Sequence, residues 1–471
     1  MHIIYNAEIV NEGKRFGGYV IIDGEFIAKV GEGAPEQADM DKCAERTDAK
    51  GMLLIPGAID DQVHFREPGL IHKADIETES HAAVAGGVTS FMDMPNTKPA
   101  TTTVELLEQK YDRAAQVSPA NYSFYAGATN ENMAELRRID FSQVCGVKVF
   151  MGSSTGNMLV DDKETLRGIF SEIPTIIAIH SEDEATINSN KALYTQRFGN
   201  DLPVYFHPLI RSAEACYVST ARAVELANEC GTRLHVLHMS SAKELSLFEN
   251  KPLAEKKITA EVCVHHMWFT DNDYAQYGNR IKCNPAVKTY ADREALRNGL
   301  KSGLIDVVAT DHAPHLMSEK QGGCLVAASG MPLVQYSLVA MLEMADKGIF
   351  TTEMVVDKMC HAPATLYRIN KRGFIREGYY ADLALVDTNA SYVVEAKDIK
   401  SRCGWSPFEG TKFHTRVYTT FVNGVKAYEN GTINTEIHVN ELTSKIPSNM
   451  ITTRGYTEKN IIAFLTALLS A

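Results

Sequence analysis

Five side chains of metal-ligating or acid/base type each close a different apolar run of this 471-residue chain. They are His64 in AIDDQVHF, Lys148 in GVKVFMG, His180 in TIIAIHSED, His238 in RLHVLHMSS and Asp311 in DVVATDHAPH. Imidazole nitrogens and carboxylate oxygens are the usual ligands of zinc, so a point where these tips meet would hold a metal. A single histidine reads more naturally as a hydrogen-bonded structural residue, and it is the recurrence at several tips that favours a site. Lys148 sits inside an apolar run, where burying an ammonium is costly. Desolvation and nearby cations lower an amine's pKa, and a free amine reacts with CO₂ to give a carbamate able to bridge two metals. The plain alternative is an outward-facing lysine with its stem packed and its head in water. Asp311, after a buried run, either ligates metal, serves as a general base or caps the next helix.

The runs that must position these residues number about eight: LLIPGAIDDQVHF, VTSFMDMPN, NYSFYAGAT, VCGVKVFMG, TIIAIHSED, RLHVLHMSS, KITAEVCVHH and DVVATDHAPH. Helical or looped segments such as TVELLEQKYDRAAQV and ACYVSTARAVELANEC separate them. Eight is the number that a closed parallel barrel requires, and such barrels assemble their chemistry at the C-terminal strand ends. The rival open doubly wound sheet would need a Gly-rich fingerprint after the first strand, which is missing. The expected class is therefore α/β, a (β/α)₈ TIM-type barrel over residues 56–370. Residues 1–55 and 371–432 carry short strand-like runs with turn signals, including YADLALVDT, SYVVEA and a hairpin at Asn423-Gly424. They are read together as a small composite β-sandwich built from both chain ends. The tail 433–471 stays unassigned, although NIIAFLTALLSA fits a short amphipathic helix.

Hydrophobic residues at 45% and charged residues at 23% exclude disorder, collagen-like and disulfide-scaffold classes. Lys plus Arg total 47 against 59 Asp plus Glu, and a net charge of −12 repels phosphate backbones, so no nucleic-acid partner is expected. Nine cysteines without a closely spaced pair fit a reduced, cytoplasmic setting. MHIIYNAEIV is not a leader and the run from Ile461 to Ala471 is too short for a bilayer, so no membrane association is expected.

AIDDQVHFREPG, FMDMPNT, VKVFMG, IHSED, VLHMSS, CNPAVK and ATDHAPH, in that order, resemble the motif series of the dihydroorotases of the cyclic amidohydrolase superfamily. HAPATLYRINKRGFIREGYYADLALVD is similar to that family's return from barrel to β-sandwich. The resemblance implies a cyclic amide hydrolase of pyrimidine biosynthesis, acting reversibly on the small molecules dihydroorotate and N-carbamoyl-L-aspartate. It implies attack by zinc-bound hydroxide with Asp311 as acid/base, and metal ligands His64, carbamylated Lys148, His180, His238 and Asp311. It further implies that Arg66, Asn96 and His315 hold the substrate carboxylate and that Asn284 contacts the ring, with Ser329 and Gly330 aligning loosely with another contact. A homodimer is also implied. A guanidinium fork suits a carboxylate. Allantoinases usually carry Asn at the position of Arg66 and hydantoinases lack the Arg, since their substrates have no such carboxylate. The structural alternative for Arg66 is a salt bridge to Glu67 or another acid.

The chain departs from the family at the first strand, where His-x-His is replaced by Gln62-Val63-His64. Strand alternation puts Asp60, Gln62 and His64 on one face and turns Asp61 away. Gln62 thus takes a ligand position with only an amide oxygen, a weaker donor than imidazole, and is a doubtful ligand. One or two zinc ions of unequal occupancy are expected, one keeping His180 and His238, the other only His64 and Asp311. Gln62 also motivates a second reading, a catalytically silent subunit supporting a partner enzyme, against which the intact Arg66, Asn96, Lys148, His180, His238, Asp311 and His315 argue. A third is hydrolysis of another cyclic amide of hydantoin or allantoin type. His265 and His266 are expected in supporting or loop roles, and His72, His81, His207, His235 and His361 as structural residues. GSSTGN lacks the Gly-Lys-Ser/Thr ending of a phosphate loop and reads as a mobile barrel loop.

Overall fold

The computed structural model describes residues 1–152, 158–437, 439 and 441–443. Most of GSSTGN and all of NIIAFLTALLSA lie outside the described residues. The chain opens with β1 (His2–Asn11), β2 (Lys14–Asp23) and β3 (Phe26–Glu32), paired antiparallel in sequence order. Then β4 (Glu45–Asp48) and β5 (Leu53–Pro56) return parallel to β1.

After Pro56-Gly57 the chain changes sheets. The run LLIPGAIDDQVHF, continuous in sequence, is therefore split between β5 and the first barrel strand. A Cβ at Gly57 would lie 2.2 Å from the Thr89 side chain, so only glycine allows this crossing at such close approach. The barrel strands are β6 (Ala58–Val63), β7 (Val88–Asp93), β8 (Asn121–Gly127), β9 (Gly146–Phe150), β10 (Ile176–His180), β11 (Arg233–Val236), β12 (Ile258–Cys263) and β13 (Val307–Ala309). All neighbours are parallel and in sequence order, and a bridge between Val63 and His312, with His64 N–H donating to His312 O at 2.7 Å, brings the two ends together.

Nearly every barrel-strand residue is buried, as expected of strands covered on both faces. Alternation divides them: Ile177 and Ile179 pack outward against the helical layer, while Ile176 and Ala178 turn inward to join Met92, Met94, Tyr125 and Leu237. Tyr367, from the segment following the barrel, plugs the interior by bonding its hydroxyl to that of Tyr125 at 2.6 Å. The helices Val104–Val117 and Ala213–Cys230 coincide with the two helical segments expected from sequence, and their N-caps Thr103 and Ser212 accept backbone N–H bonds.

The second sheet draws on both ends of the chain. β14 (Leu383–Asp387) pairs antiparallel with β5, placing Leu54 opposite Leu385. Next in the chain come β15 (Tyr392–Val393), β16 (Lys412–Phe413), β17 (Arg416–Val422), β18 (Val425–Glu429) and β19 (Thr432–Ile433). The nine-stranded sheet runs β19-β18-β17-β14-β5-β1-β2-β3, with β4 also on β1. Asn423 and Gly424 make the expected hairpin between β17 and β18, both with positive φ (49° and 77°). SYVVEA departs from expectation. Its β15 pairs only with β16, outside the nine-stranded sheet, because Val394, Phe408 and Phe413 are buried in an aromatic cluster with Trp405 and Tyr336 against the barrel layer. Part of the tail is placed: Leu442 N–H donates to Tyr122 O at 2.8 Å, and Asn370 N–H to Thr443 O at 3.1 Å. Among the described residues no helix is long and apolar enough to cross a membrane.

Candidate active site

The expected residues converge. One pocket is lined by His64, Lys148, His180, His238 and Asp311 together with Gln62. Arg66, Asn96, Asn284 and His315 line it as well, as do Ser329, Gly330 and Phe150. His64, Lys148, His180, His238 and Asp311 come from strand ends or the residues just after them, the placement that a parallel barrel imposes, whereas Asn284, Ser329 and Gly330 come from the longer segments that follow β12 and β13.

One imidazole faces another imidazole and one faces a carboxylate. His180 Nδ1 lies 3.1 Å from His238 Nε2, and His64 Nε2 lies 3.0 Å from Asp311 Oδ1. Asn96 Oδ1 sits 2.8 Å from His64 Nδ1 and accepts its N–H, which leaves the Nε2 lone pair facing a carboxylate oxygen. Two ligands held tetrahedrally at about 2.0–2.1 Å from zinc stand about 3.3–3.4 Å apart, close to both separations. Burial lowers the pKa of His64 and, with His180 and Lys148 nearby, pushes that of His238 far down, so both favour the neutral, ligating form. The donor set therefore fits a divalent metal ion.

Lys148 is 1% exposed, and no described residue hydrogen-bonds or ion-pairs with its amine, which stands 4.8 Å from the centre of the Phe150 ring. It is not the outward-facing lysine of the plain alternative. Burial lowers its pKa to about 7, so much of it is free amine at neutral pH.

Glu182 was not singled out from sequence. It is fully buried two residues beyond His180, with Oε2 3.1 Å from His180 Nε2 and bonded by Arg211. Although burial opposes its charge, Arg211 and His180 hold its carboxyl well below the usual range. A carboxylate behind a ligating histidine fixes the ring and raises its basicity. The available signal was a carboxylate two places after a histidine, in the polar SED tip of an apolar run.

At the rim, Arg66 is 7% exposed, donates from Nε to Pro314 O at 3.1 Å and has no carboxylate within ion-pair distance among the described residues. The salt bridge to Glu67 does not form, because Glu67 binds Arg113 at 2.9 Å and the Ile76 N–H. His315 accepts at Nδ1 from Lys73 and donates from Nε2 to Ser329 O, with an Arg66 terminal nitrogen 3.1 Å from Nε2. Burial and these cations depress its pKa strongly, so it stays neutral.

Gln62 Nε2 donates to Asp311 Oδ1 at 3.3 Å while its Oε1 faces the Cys263 thiol at 3.9 Å. The amide thus offers the pocket a donor. Strict alternation fails on β6: the register against β7 shifts between Asp60 and Val63, and Asp61 as well as Gln62 contacts barrel-interior residues, Asp61 meeting His235. Asp60 instead accepts from the Thr310 hydroxyl at 2.6 Å. Asp311 is no helix cap, since no helix starts behind it. His265 and His266 are buried without lining the pocket.

A family model described as the amidohydrolase family matches residues 53–426. A dihydroorotase of Lactobacillus johnsonii is 31% identical over 91% of this chain and 99% of its own, and one of Methanosarcina mazei is 33% identical over 86% and 90%. Among solved structures, L-hydantoinase (dihydropyrimidinase) from Arthrobacter aurescens superposes with a TM-score of 0.87 at 25% identity, covering 94% of this chain and 99% of its own. On the span and strength of these likenesses, over a barrel whose strand ends gather the expected residues into one pocket, the chain belongs to the amidohydrolase family, among its dihydroorotases.

Proposed function

We propose that this enzyme opens the cyclic amide of dihydroorotate to N-carbamoyl-L-aspartate, reversibly, using zinc held in the pocket. The observation that carries the reading is Arg66, a buried guanidinium without an acid partner among the described residues, aimed at a pocket of metal-binding type. A substrate carboxylate would complete it. The like-length dihydroorotases support the same substrate.

His64, His180 and His238 would hold the metal with Asp311, joined by a carbamate on Lys148 formed from its free amine and CO₂. When bound, zinc supplies a Lewis acid for the ring carbonyl and lowers the pKa of water. The remaining work falls to the protein. Arg66, held by Pro314 O beside neutral His315, fixes the carboxylate, and Asn284 holds the ring. Both His64 and Gln62 approach Asp311 through Oδ1, which leaves Oδ2 to take a proton from the attacking water and deliver it to the ring nitrogen.

The test is to incubate the zinc-loaded protein with dihydroorotate and with N-carbamoyl-L-aspartate across a range of pH and follow ring opening and closure. Turnover in both directions is expected. Turnover of a neutral ring such as hydantoin in place of dihydroorotate would transfer the enzyme to the hydantoinases, and zinc binding without any turnover would leave a silent subunit.

A further inference from the structure

Beneath the pocket, inside the barrel, Asp61 on β6, His235 on β11 and Glu261 on β12 meet with no exposure at all. Their facing ligand atoms lie within 4.8 Å of one another. We propose that these three residues form a second, structural site for a divalent cation of zinc type, separate from the pocket and independent of the substrate assigned above.

The argument starts from His235. Its Nδ1 is 2.8 Å from Thr259 Oγ1, and that hydroxyl donates its own proton to Leu234 O at 3.2 Å. The hydroxyl must therefore accept from His235, so Nδ1 carries a hydrogen and the Nε2 lone pair is the one that takes a second proton or a cation; burial opposes a charge there, but Asp61 and Glu261 outweigh it and raise the ring's pKa to about 9. That lone pair faces Asp61 Oδ2 at 3.3 Å and Glu261 Oε2 at 3.8 Å. Nε2, both Asp61 oxygens and Glu261 Oε2 are buried without a hydrogen-bond partner. Four such atoms in one place are costly unless something positive lies between them.

Two occupants satisfy the site differently. A proton on Nε2 gives an imidazolium beside Asp61 and a Glu261 carboxyl whose pKa burial and Asp61 raise to about 7, a net charge between −1 and zero, and its charge-assisted bonds should measure about 2.7–2.9 Å. The observed separations are longer and lack hydrogen-bond geometry. A divalent cation gives zero net charge, and tetrahedral ligands at about 2.0–2.2 Å from it stand about 3.3–3.6 Å apart. The 3.3 Å separation from Asp61 fits a shared cation, and the 3.8 Å separation from Glu261 lies just beyond that range, so seating the ion would draw Glu261 inward by about 0.2 Å. The site also touches the pocket through Glu261 Oε1, which accepts from the His238 backbone N–H at 2.9 Å and so braces a residue at positive φ.

Crystals of the full-length zinc-loaded protein, measured on both sides of the zinc absorption edge, separate the two sites in space. An anomalous peak between Asp61, His235 and Glu261 is expected besides any in the pocket. In Asp61→Asn the bound zinc should fall by one equivalent, with the inner peak lost and the pocket peak retained. If that variant does not fold, His235→Gln is judged by the same metal count. Absence of the inner peak at saturating zinc, an unchanged count in the variants, or ¹⁵N NMR signals of a doubly protonated His235 ring would overturn the site. Loss of the pocket peak alone would count against the catalytic reading and leave this one standing.

Discussion

Replacing Arg66 by methionine separates the binding of a carboxylate from the stability of the fold. Arg66 is 7% exposed, and its one hydrogen bond to the backbone, to Pro314 O, is worth about 1 kcal/mol. Against that small loss stands the removal of a buried charge with no acid within ion-pair distance among the described residues, whose desolvation costs several kcal/mol. The Arg66→Met change should therefore leave the melting temperature of the substrate-free protein unchanged or higher. The effect on substrate has the opposite sign. Two charge-assisted bonds from guanidinium to carboxylate, at about 1.5–3 kcal/mol each, sum to about 3–6 kcal/mol. At 1.36 kcal/mol per decade this is a loss of roughly 10²–10⁴-fold in kcat/KM for dihydroorotate. A neutral ring such as dihydrouracil should lose no more than a few-fold. Steady-state kinetics on both substrates, with calorimetry of the variant, measure all three quantities. Equal losses on the two substrates, or a sharp drop in melting temperature, would refute the reasoning, because Arg66 would then be holding the fold.

Other variants address the metal. Glu182→Gln removes the carboxylate behind His180 and should weaken zinc binding about 10–100-fold in a chelator competition, with little change in KM. Gln62→His restores an imidazole to the first strand and should raise the zinc count in the pocket. Apoprotein reloaded with zinc in CO₂-free buffer should recover little activity until bicarbonate is added, and intact-mass measurement of the native protein should show one added CO₂ that Lys148→Ala lacks.

The barrel and the identities at its strand ends were legible because each β-strand is a local object: an apolar run such as TIIAIHSED carries its own evidence of burial and of a polar tip. What escaped depends on partners distant in sequence. Glu182 becomes informative only once Arg211 and the ring of His180 close on it. The placement of Asp61 depends on a register shift of β6 against β7, which no pattern within AIDDQVHF encodes. Strand β15 pairs outside the nine-stranded sheet because the aromatic residues that capture its neighbours, among them Trp405 and Phe408, belong to another segment. Arg66, His238 and Asp311 have φ of 70°, 40° and 48°, a left-handed backbone that costs about 1–3 kcal/mol per residue and must be enforced by the surrounding structure. Such strain at three residues lining one pocket re-aims side chains that regular strands would direct elsewhere.

The exchange of histidine for Gln62 gains a role from the same geometry. Its amide nitrogen reaches Asp311 Oδ1 at 3.3 Å, the oxygen that His64 Nε2 also approaches. An imidazole at this position would compete for metal, whereas the amide holds a carboxylate in place and leaves its second oxygen for proton transfer. We propose that Gln62 is a positioning residue, and Gln62→Leu, similar in volume but without the donor, distinguishes this role from that of a ligand. A long hydrogen bond of this kind is worth about 0.5–1.5 kcal/mol, so kcat should fall about two- to tenfold. KM and the zinc count should hold. Were Gln62→Leu to shed zinc instead, the amide oxygen would be a ligand after all, and the placement of its donor toward Asp311 would have to be reversed.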